Sequence, residues 1–446
     1  MTPRLRSLRP CFEGAVPASI ATCAADGTPN VTKLSHVHFV DDRHVALSYQ
    51  FFNKTRQNLL ETGRATVEVV DPVTAAHYHL QLEYLHTETE GPLFETMKAR
   101  LAAIASHTGM SKVFRLLGAD LYRVLSIETV GEEPAAQDGA GIEWMSRLRT
   151  FAAELSGCSD LAHLLDMALE GLERYWEVRH SMVLMLDPRR GVLYTVASRG
   201  YPQSGVGSEV LIGEGILGIA ARDRICIRLD YAVQEYRYCQ SARQRFAASD
   251  DASALETEIP FPGLPEPGSQ MAVPLLAMGR LLGVLYLESP LEQHFGHDDE
   301  DAVALLAGQL ALAIDLLNHS AEHPAEAGLK SSLPPARGEP VTVRHFPADH
   351  SVFVDGDYLI KGVAGAILWK LLREQQETGR TDFTTRELRL DGSLKLPDIV
   401  DNLDARLILL QRRLAERCPA LAVEKTGRGR WRLKLERPVY LRDMPR

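Results

Sequence analysis

The chain has 446 residues, of which 45% are hydrophobic and 24% charged, and it carries a formal net charge of −10. These proportions exclude a disordered or fibrous chain, and at roughly 150 residues per folded unit the length sets an expectation of about three domains. The six cysteines, Cys11, Cys23, Cys158, Cys226, Cys239 and Cys418, form no CxxC pair, which excludes a zinc finger and leaves idle thiols of a reducing compartment.

The first ten residues carry charge with no apolar stretch behind them, so no secretory leader is expected. The longest apolar stretch, 302–314, contains Gln309 and is too short to cross a bilayer, so the protein is expected to be cytoplasmic. Two segments read as linkers. Residues 131–139 are small, polar or acidic, and 319–340 hold Pro324, Pro334, Pro335 and Pro340. They divide the chain into modules 1–130, 140–318 and 341–446, giving a multidomain α+β protein.

In the first module, strands are predicted at 19–24, 31–40, 44–49, 65–70 and 77–89, with turns such as Asp26-Gly27 and Asp41-Asp42 between them. A short helix is predicted over 51–64, with Asn53 as its cap and Gly63 closing it. Lys54, Thr55 and Arg56 fall on its first turn, where backbone N–H groups and cations suit a phosphate monoester. The pairs His36/His38 and His77/His79 each share one strand face. No third ligand is fixed by spacing, so pocket-lining or surface histidines are expected and no metal.

This order of elements, with Leu47-Ser48-Tyr49 ending a strand, Lys54-Thr55 opening a helix and Gly63-Arg64-Ala65-Thr66-Val67 following, resembles the FMN-binding split β-barrel of the pyridoxamine-phosphate-oxidase-like superfamily over about residues 12–130. The resemblance implies FMN, with its phosphate on Lys54 and Thr55 and its ribityl chain and ring near Lys33, Ser35, Ser48 and Tyr49. It also implies a homodimer with the flavin at the interface. Residues 121–130 lack the Trp with which the oxidase members grip their substrate.

The second module opens with helices predicted at 142–155 and 161–176, then a hairpin of 181–186 and 192–198 around Asp187-Pro188-Arg189-Arg190-Gly191. Gly213-Glu214-Gly215 leads into a helix, and strands at 269–276 and 280–288 flank a glycine turn. A last amphipathic helix places Leu305, Leu306, Leu310, Ile314 and Leu317 together. This succession resembles a GAF domain, a six-stranded antiparallel sheet with flanking helices, and implies a small-molecule effector and signalling rather than catalysis. The long segment 230–268 holds Tyr236, Arg237 and Tyr238, either as a lid whose rings and guanidinium meet a planar anion or as a surface insertion.

The third module reverses the charge: residues 341–446 hold 20 basic and 15 acidic residues, a net of +5 against −15 for the rest. A strand pair around Asp355-Gly356, a helix at 363–372, a second helix capped by Thr384 with Glu387, and a longer helix at 398–417 are predicted. Glu424 to Lys434 reads as a hairpin with a cationic tip at Gly427-Arg428-Gly429. The order resembles the winged-helix effector domain of response-regulator-type transcription factors. It implies DNA contacts from Asn402, Arg406, Arg412 and Arg413 on the third helix and from Lys425, Arg428 and Arg430 on the wing.

No nucleotide-binding loop, nucleophile elbow or metalloprotease helix is present in the sequence. The expected protein is a ligand- or redox-sensing transcriptional regulator whose flavin-type and GAF modules control a winged helix. The alternative is an FMN-dependent oxidoreductase with appended regulatory domains.

Overall fold

The computed structural model describes residues 3–12, 16–34, 37–49, 54–72, 74–107, 116–131, 141–229, 259–320, 338–394 and 403–444. In the first module, strands β1 (Ser19–Cys23), β2 (Pro29–Lys33), β3 (Val37–Asp41), β4 (His44–Tyr49), β5 (Arg64–Val70), β6 (His77–Glu88) and β7 (Gly118–Val130) form one antiparallel sheet in the order β2-β1-β5-β6-β7-β4-β3. Helix α1 (Lys54–Thr62) joins β4 to β5, and α2 (Pro92–His107) joins β6 to β7.

The single strand expected over 31–40 is instead two strands, β2 and β3, at opposite ends of this sheet. The chain from Lys33 to Val37 reaches at most about 14 Å, whereas seven flat strands would hold their outer members about 29 Å apart. The sheet therefore curls until its ends approach one another. Inside lie Ile20, Val45, Leu47, Val67, Val69, Leu80, Leu82 and Tyr122, with Leu5, Leu8 and Phe12 of the N-terminal 3-10 turn packed against them.

The second module contains α3 (Gly141–Ser156), α4 (Leu161–Trp176), β8 (His180–Asp187), β9 (Val192–Arg199), β10 (Glu209–Leu211), α5 (Gly215–Asp223), β11 (Ile227–Leu229), β12 (Ser269–Ala277), β13 (Arg280–Ser289) and α6 (His297–Ser320). Its six-stranded antiparallel sheet runs β10-β9-β8-β13-β12-β11. Helices cover both faces, which is why β13 reads as a continuous apolar run instead of alternating. One face carries Val183, Tyr194, Val273 and Leu285 against α3, α4 and α6. The other carries Met182, Leu184, Leu193, Ala272 and Val284 against Ile216, Leu217 and Ala220 of α5.

Asp160 starts α4 by accepting the N–H groups of Ala162 and His163 at 3.0 and 3.2 Å. Behind that cap, Leu161, Leu164, Leu165, Ala168, Leu169 and Leu172 bury one stripe of the helix. On α6 the buried stripe runs through Val303, Leu306, Leu310 and Ile314. Leu305, expected with them, is 64% exposed because it lies one residue off that stripe.

The third module contains β14 (Val341–Phe346), β15 (Ser351–Val354), β16 (Asp357–Ile360), α7 (Gly362–Thr378), β17 (Asp382–Thr384), α8 (Thr385–Leu390), α9 (Leu403–Arg417), β18 (Leu421–Gly427), β19 (Arg430–Leu435) and β20 (Val439–Asp443). Two sheets form, β16-β15-β14-β20 and β17-β19-β18. The parallel pairing of β14 with β20 ties the end of the chain back to the start of the module. The α8 cap is as expected: the Glu387 N–H donates to the Thr384 hydroxyl at 3.2 Å.

The modules are not separate beads. One apolar cluster runs from Phe151, Leu164 and Val196 of the second module into Ile367, Leu407, Leu410 and Trp431 of the third. On the opposite face of the GAF-like sheet, Ala99 and Ala103 of α2 pack into the cluster formed by α5. The central sheet thus has α9 docked on one side and α2 on the other.

Candidate functional site

Three groups of side chains bear on function. The first is at α1. Lys54 is exposed at the start of the helix, while Thr55 is buried and its hydroxyl accepts from the Asn30 amide at 2.8 Å. Arg56, expected beside them, turns inward instead. Its guanidinium reaches Asp120 on β7 at 2.6 Å, donates to Thr87 at 2.9 Å and lies 3.8 Å from the centre of the Tyr49 ring. This ion pair is mostly buried and staples α1 to β4, β6 and β7.

Of the residues expected around a flavin, Lys54 and Thr55 open α1, and Tyr49 lies against the guanidinium of Arg56, the next residue of that helix. Lys33 is not with them. It lies on the exposed face of β2, opposite Asn30, where it donates to the Ser19 hydroxyl at 3.0 Å. Ser48 points to the face of β4 opposite Tyr49, and its buried hydroxyl has no hydrogen-bond partner among the described residues. Ser35 lies outside the described residues, as does His36. His77 donates to the Glu68 carboxylate at 2.9 Å, and no cluster of three or more potential metal ligands occurs among the described residues.

The second group is a polar rung in the central module. Gln270, Glu288 and His180 are cross-strand neighbours on β12, β13 and β8. Glu288 is 2% exposed and accepts four hydrogen bonds: from Gln270 at 3.2 Å and Tyr286 at 2.9 Å on one oxygen, and from Tyr201 at 2.9 Å and the Leu264 N–H at 3.0 Å on the other. Burial first, and Glu288 second, push the Tyr201 phenol well above its usual pKa, so it stays a donor.

The Leu264 bond matters because 259–268 is the return of the long segment. Pro262 lies against Gly205, where a Cβ would come within 2.3 Å of the proline ring, so this return runs over the rung. Two buried atoms there, His180 Nδ1 and Gln270 Oε1, lack partners among the described residues, an arrangement that fits a small polar ligand. Tyr236, Arg237 and Tyr238 lie outside the described residues. Burial raises the thiol pKa of Cys226 well above its usual value and that of Cys11 to about 12, so neither is a poised nucleophile. Cys239 is also outside.

The third group is the basic face of the C-terminal module. The sequence placed Arg406, Arg412 and Arg413 in solvent; the structure corrects this. Arg406 is 4% exposed, with its guanidinium 2.7 Å from Asp187 and 3.7 Å from the centre of the Tyr194 ring, both in the central module. Arg412 is half-buried, donating to Asp166 at 2.7 Å and to the Val196 carbonyl at 3.0 Å. Arg413 is buried within its own module, donating to the Leu359 carbonyl at 2.9 Å.

Lys425 is paired with Asp160, the same residue that caps α4. Burial alone would raise the Asp160 pKa; the hydrogen bonds from Lys425 and from the His163 and Ala162 N–H groups outweigh it and hold the carboxyl below its usual value. Lys361, just before α7, lies 3.5 Å from Glu209 on β10. Of the remaining expected contacts, Arg428 is exposed at the hairpin tip and Arg430 is half-buried, while Asn402 lies outside the described residues. The misreading has a physical cause. Apolar spacing finds the face of a helix packed on its own module, but it cannot see a second face neutralised by carboxylates from another.

The GAF domain family model matches residues 158–315. Residues 158–315 are a GAF domain. No curated protein matches the chain. Among solved structures, the GAF domain of an Acinetobacter phosphoenolpyruvate-protein phosphotransferase is 21% identical, covering 42% of this chain and 99% of its own, with a TM-score of 0.32. The free methionine-R-sulfoxide reductase of Neisseria meningitidis, in complex with its substrate, is 16% identical over 43% of this chain and 98% of its own, with a TM-score of 0.32. An FMN-binding protein of Syntrophomonas wolfei is 18% identical over 29% of this chain and 89% of its own, with a TM-score of 0.25. Among the described residues, no helix is long and apolar enough to cross a membrane. The polar rung of the GAF domain thus lies on the α5 side of its sheet, and the carboxylates that hold α9 lie on its other side or at its rim.

Proposed function

We propose that this chain is a sensory transcriptional regulator, in which the GAF domain binds a small polar effector at the Glu288 rung and controls a winged-helix DNA-binding module formed by residues 341–446. The observation that carries the reading is the order of α7, α8 and α9 followed by the β18–β19 hairpin, whose tip presents Arg428 to solvent. Three helices and a basic hairpin in that order fit a helix for the major groove and a wing for the adjacent phosphates. The net charge of +5 on this module supports the same partner.

The first module would serve as a flavin-type sensor. Lys54 and Thr55 fit a phosphate at the start of α1, and Tyr49 stacks on Arg56, the residue that follows them. FMN held there would supply a redox-responsive chromophore. The exposed β2 face, with Val31 at 70% exposure and Lys33 next to it on the same side, would meet the second copy of a homodimer.

The test is binding of the full chain to genomic DNA fragments across a salt series. Saturable, sequence-selective binding that falls steeply with salt is expected, because each phosphate contact releases counterions. An absence of binding at low salt, both in the native chain and in a variant whose Asp160, Asp166 and Asp187 are replaced by Asn to free α9, would reject the reading.

A further inference from the structure

We infer that the structure is the closed, autoinhibited form of the protein, in which carboxylates of the GAF domain occupy the cations that a nucleic acid would otherwise engage. The inference rests on the DNA-binding reading of the C-terminal module and specifies how that module is regulated. Its basis is a run of opposite charges across the interface, three of them paired one to one and the fourth, Glu209, shared with Arg190 of its own domain. Asp187 holds Arg406, Asp166 holds Arg412, Asp160 holds Lys425 and Glu209 faces Lys361. Every acid belongs to the GAF domain and every base to the module that follows it.

A helix entering a major groove must offer one long free face. α9 offers none, since 10 of its 15 residues are buried, Arg406 among them. A guanidinium already sharing its protons with a buried carboxylate cannot also reach a phosphate or a base edge. The GAF surface therefore competes with DNA for the same side chains, and DNA binding requires α9 to leave β9 and α4.

Arg406 and Asp187 make the competition steep. Asp187 accepts the N–H groups of Arg189 and Arg190 at 3.1 and 3.2 Å on one oxygen, leaving the other for Arg406 at 2.7 Å. The carboxylate is thus fixed by the β8–β9 turn before Arg406 arrives, and a movement of that hairpin displaces it. The GAF sheet has the polar rung on β8 and Asp187 at the other end of the same strand. A ligand that shifts β8 acts on both.

The experiment uses the full chain carrying Asp160→Asn, Asp166→Asn and Asp187→Asn together; the first of these keeps a side-chain oxygen that can still cap α4. Fluorescence anisotropy with labelled random-sequence duplex DNA is measured beside hydrogen exchange of the α9 amides. The variant should lose α9 protection and bind DNA about tenfold or more tightly than the native chain, because apparent affinity scales with the fraction of open molecules. Asp166→Asn alone removes an exposed charge and guards against misfolding; it should shift both readouts in the same direction, by less. If α9 opens and the two proteins bind DNA equally, autoinhibition is wrong and the DNA-binding reading stands. If α9 opens and neither binds DNA, the DNA-binding reading falls, and the inference with it. Unchanged protection in both variants means these carboxylates do not hold the interface, which also overturns the inference.

Discussion

Arg406 and Asp187 lie 219 residues apart in the sequence, yet their side chains meet at 2.7 Å with only 5% and 4% of their surfaces exposed. A buried pair of this kind tolerates joint replacement far better than loss of one partner. The coupling between the two positions in a double-mutant cycle, Asp187→Ala against Arg406→Met, should reach about 3 kcal/mol. It is to be read from the exchange protection of α9. A coupling near zero would mean that apolar packing alone holds the interface.

Arg56 and Asp120 make the corresponding prediction for the first module. Arg56→Ala leaves Asp120 buried with only Thr87 for company, and should cost about 3 kcal/mol in urea unfolding. Flavin retention should fall with it, since the guanidinium supports the Tyr49 ring expected beside the flavin.

Lys54→Glu is the opposite case. Lys54 is exposed and ties nothing together, so the melting temperature should hold while the affinity for FMN falls at least about tenfold. Titration of the apoprotein with FMN, followed by flavin fluorescence, measures the change. Unaltered affinity would remove Lys54 from the phosphate site.

Glu288→Ala deprives four donors of their acceptor, and the Leu264 N–H is one of them. A loss of about 3 kcal/mol is expected from the stranded donors. Glu288→Gln should cost less, because the amide oxygen keeps part of the set. Hydrogen exchange of the Leu264 amide should accelerate in the alanine variant before global unfolding, because the carboxylate pins that segment.

Acid should weaken the third module through Asp391. Hydrogen bonds from Lys370 and Ser393 lower its pKa to about 2. A depressed folded-state pKa means that the stabilisation is present above the unfolded value near about 4 and disappears as pH falls towards about 2. The pair is half-buried at the surface and screened by solvent, so the contribution stays below about 1 kcal/mol. Lys370→Met should flatten that part of the stability-pH curve by lowering stability at neutral pH by up to about 1 kcal/mol, and leave stability near pH 2 almost unchanged.

Much of the architecture was legible in the residues. The helix at 161–176 was bounded correctly because Asp160 and its apolar stripe define both its start and its buried side. The hairpins around 187–191 and 427–429 were signalled by glycine and polar turn residues. Helix α2 was missed: its alanines pack against another module, and a stripe of small residues gives weak periodicity. The strand over 31–40 was read as one because nothing in its alternation marks the crossing between sheet ends. The site was less legible. Glu288 ends an apolar run buried on both faces, a signal that a carboxylate there must be buried, but its donors come from positions 201 to 286. Asp187 reads as an ordinary turn residue, and only the fold reveals that it faces Arg406.

Each flank of the chain is gripped by a carboxylate that belongs to its middle. Glu300 at the start of α6 takes Arg100 of α2 at 3.0 Å and Arg228 of β11 at 3.0 Å, and Asp187 takes Arg406. A GAF domain that lacked these two acids could still fold around its own core in this position. Arg100 and Arg406 would then face a surface that does not answer them. An exchange of sensors between proteins of this layout must therefore carry the acids along, or it yields a chimera whose parts fold but no longer communicate.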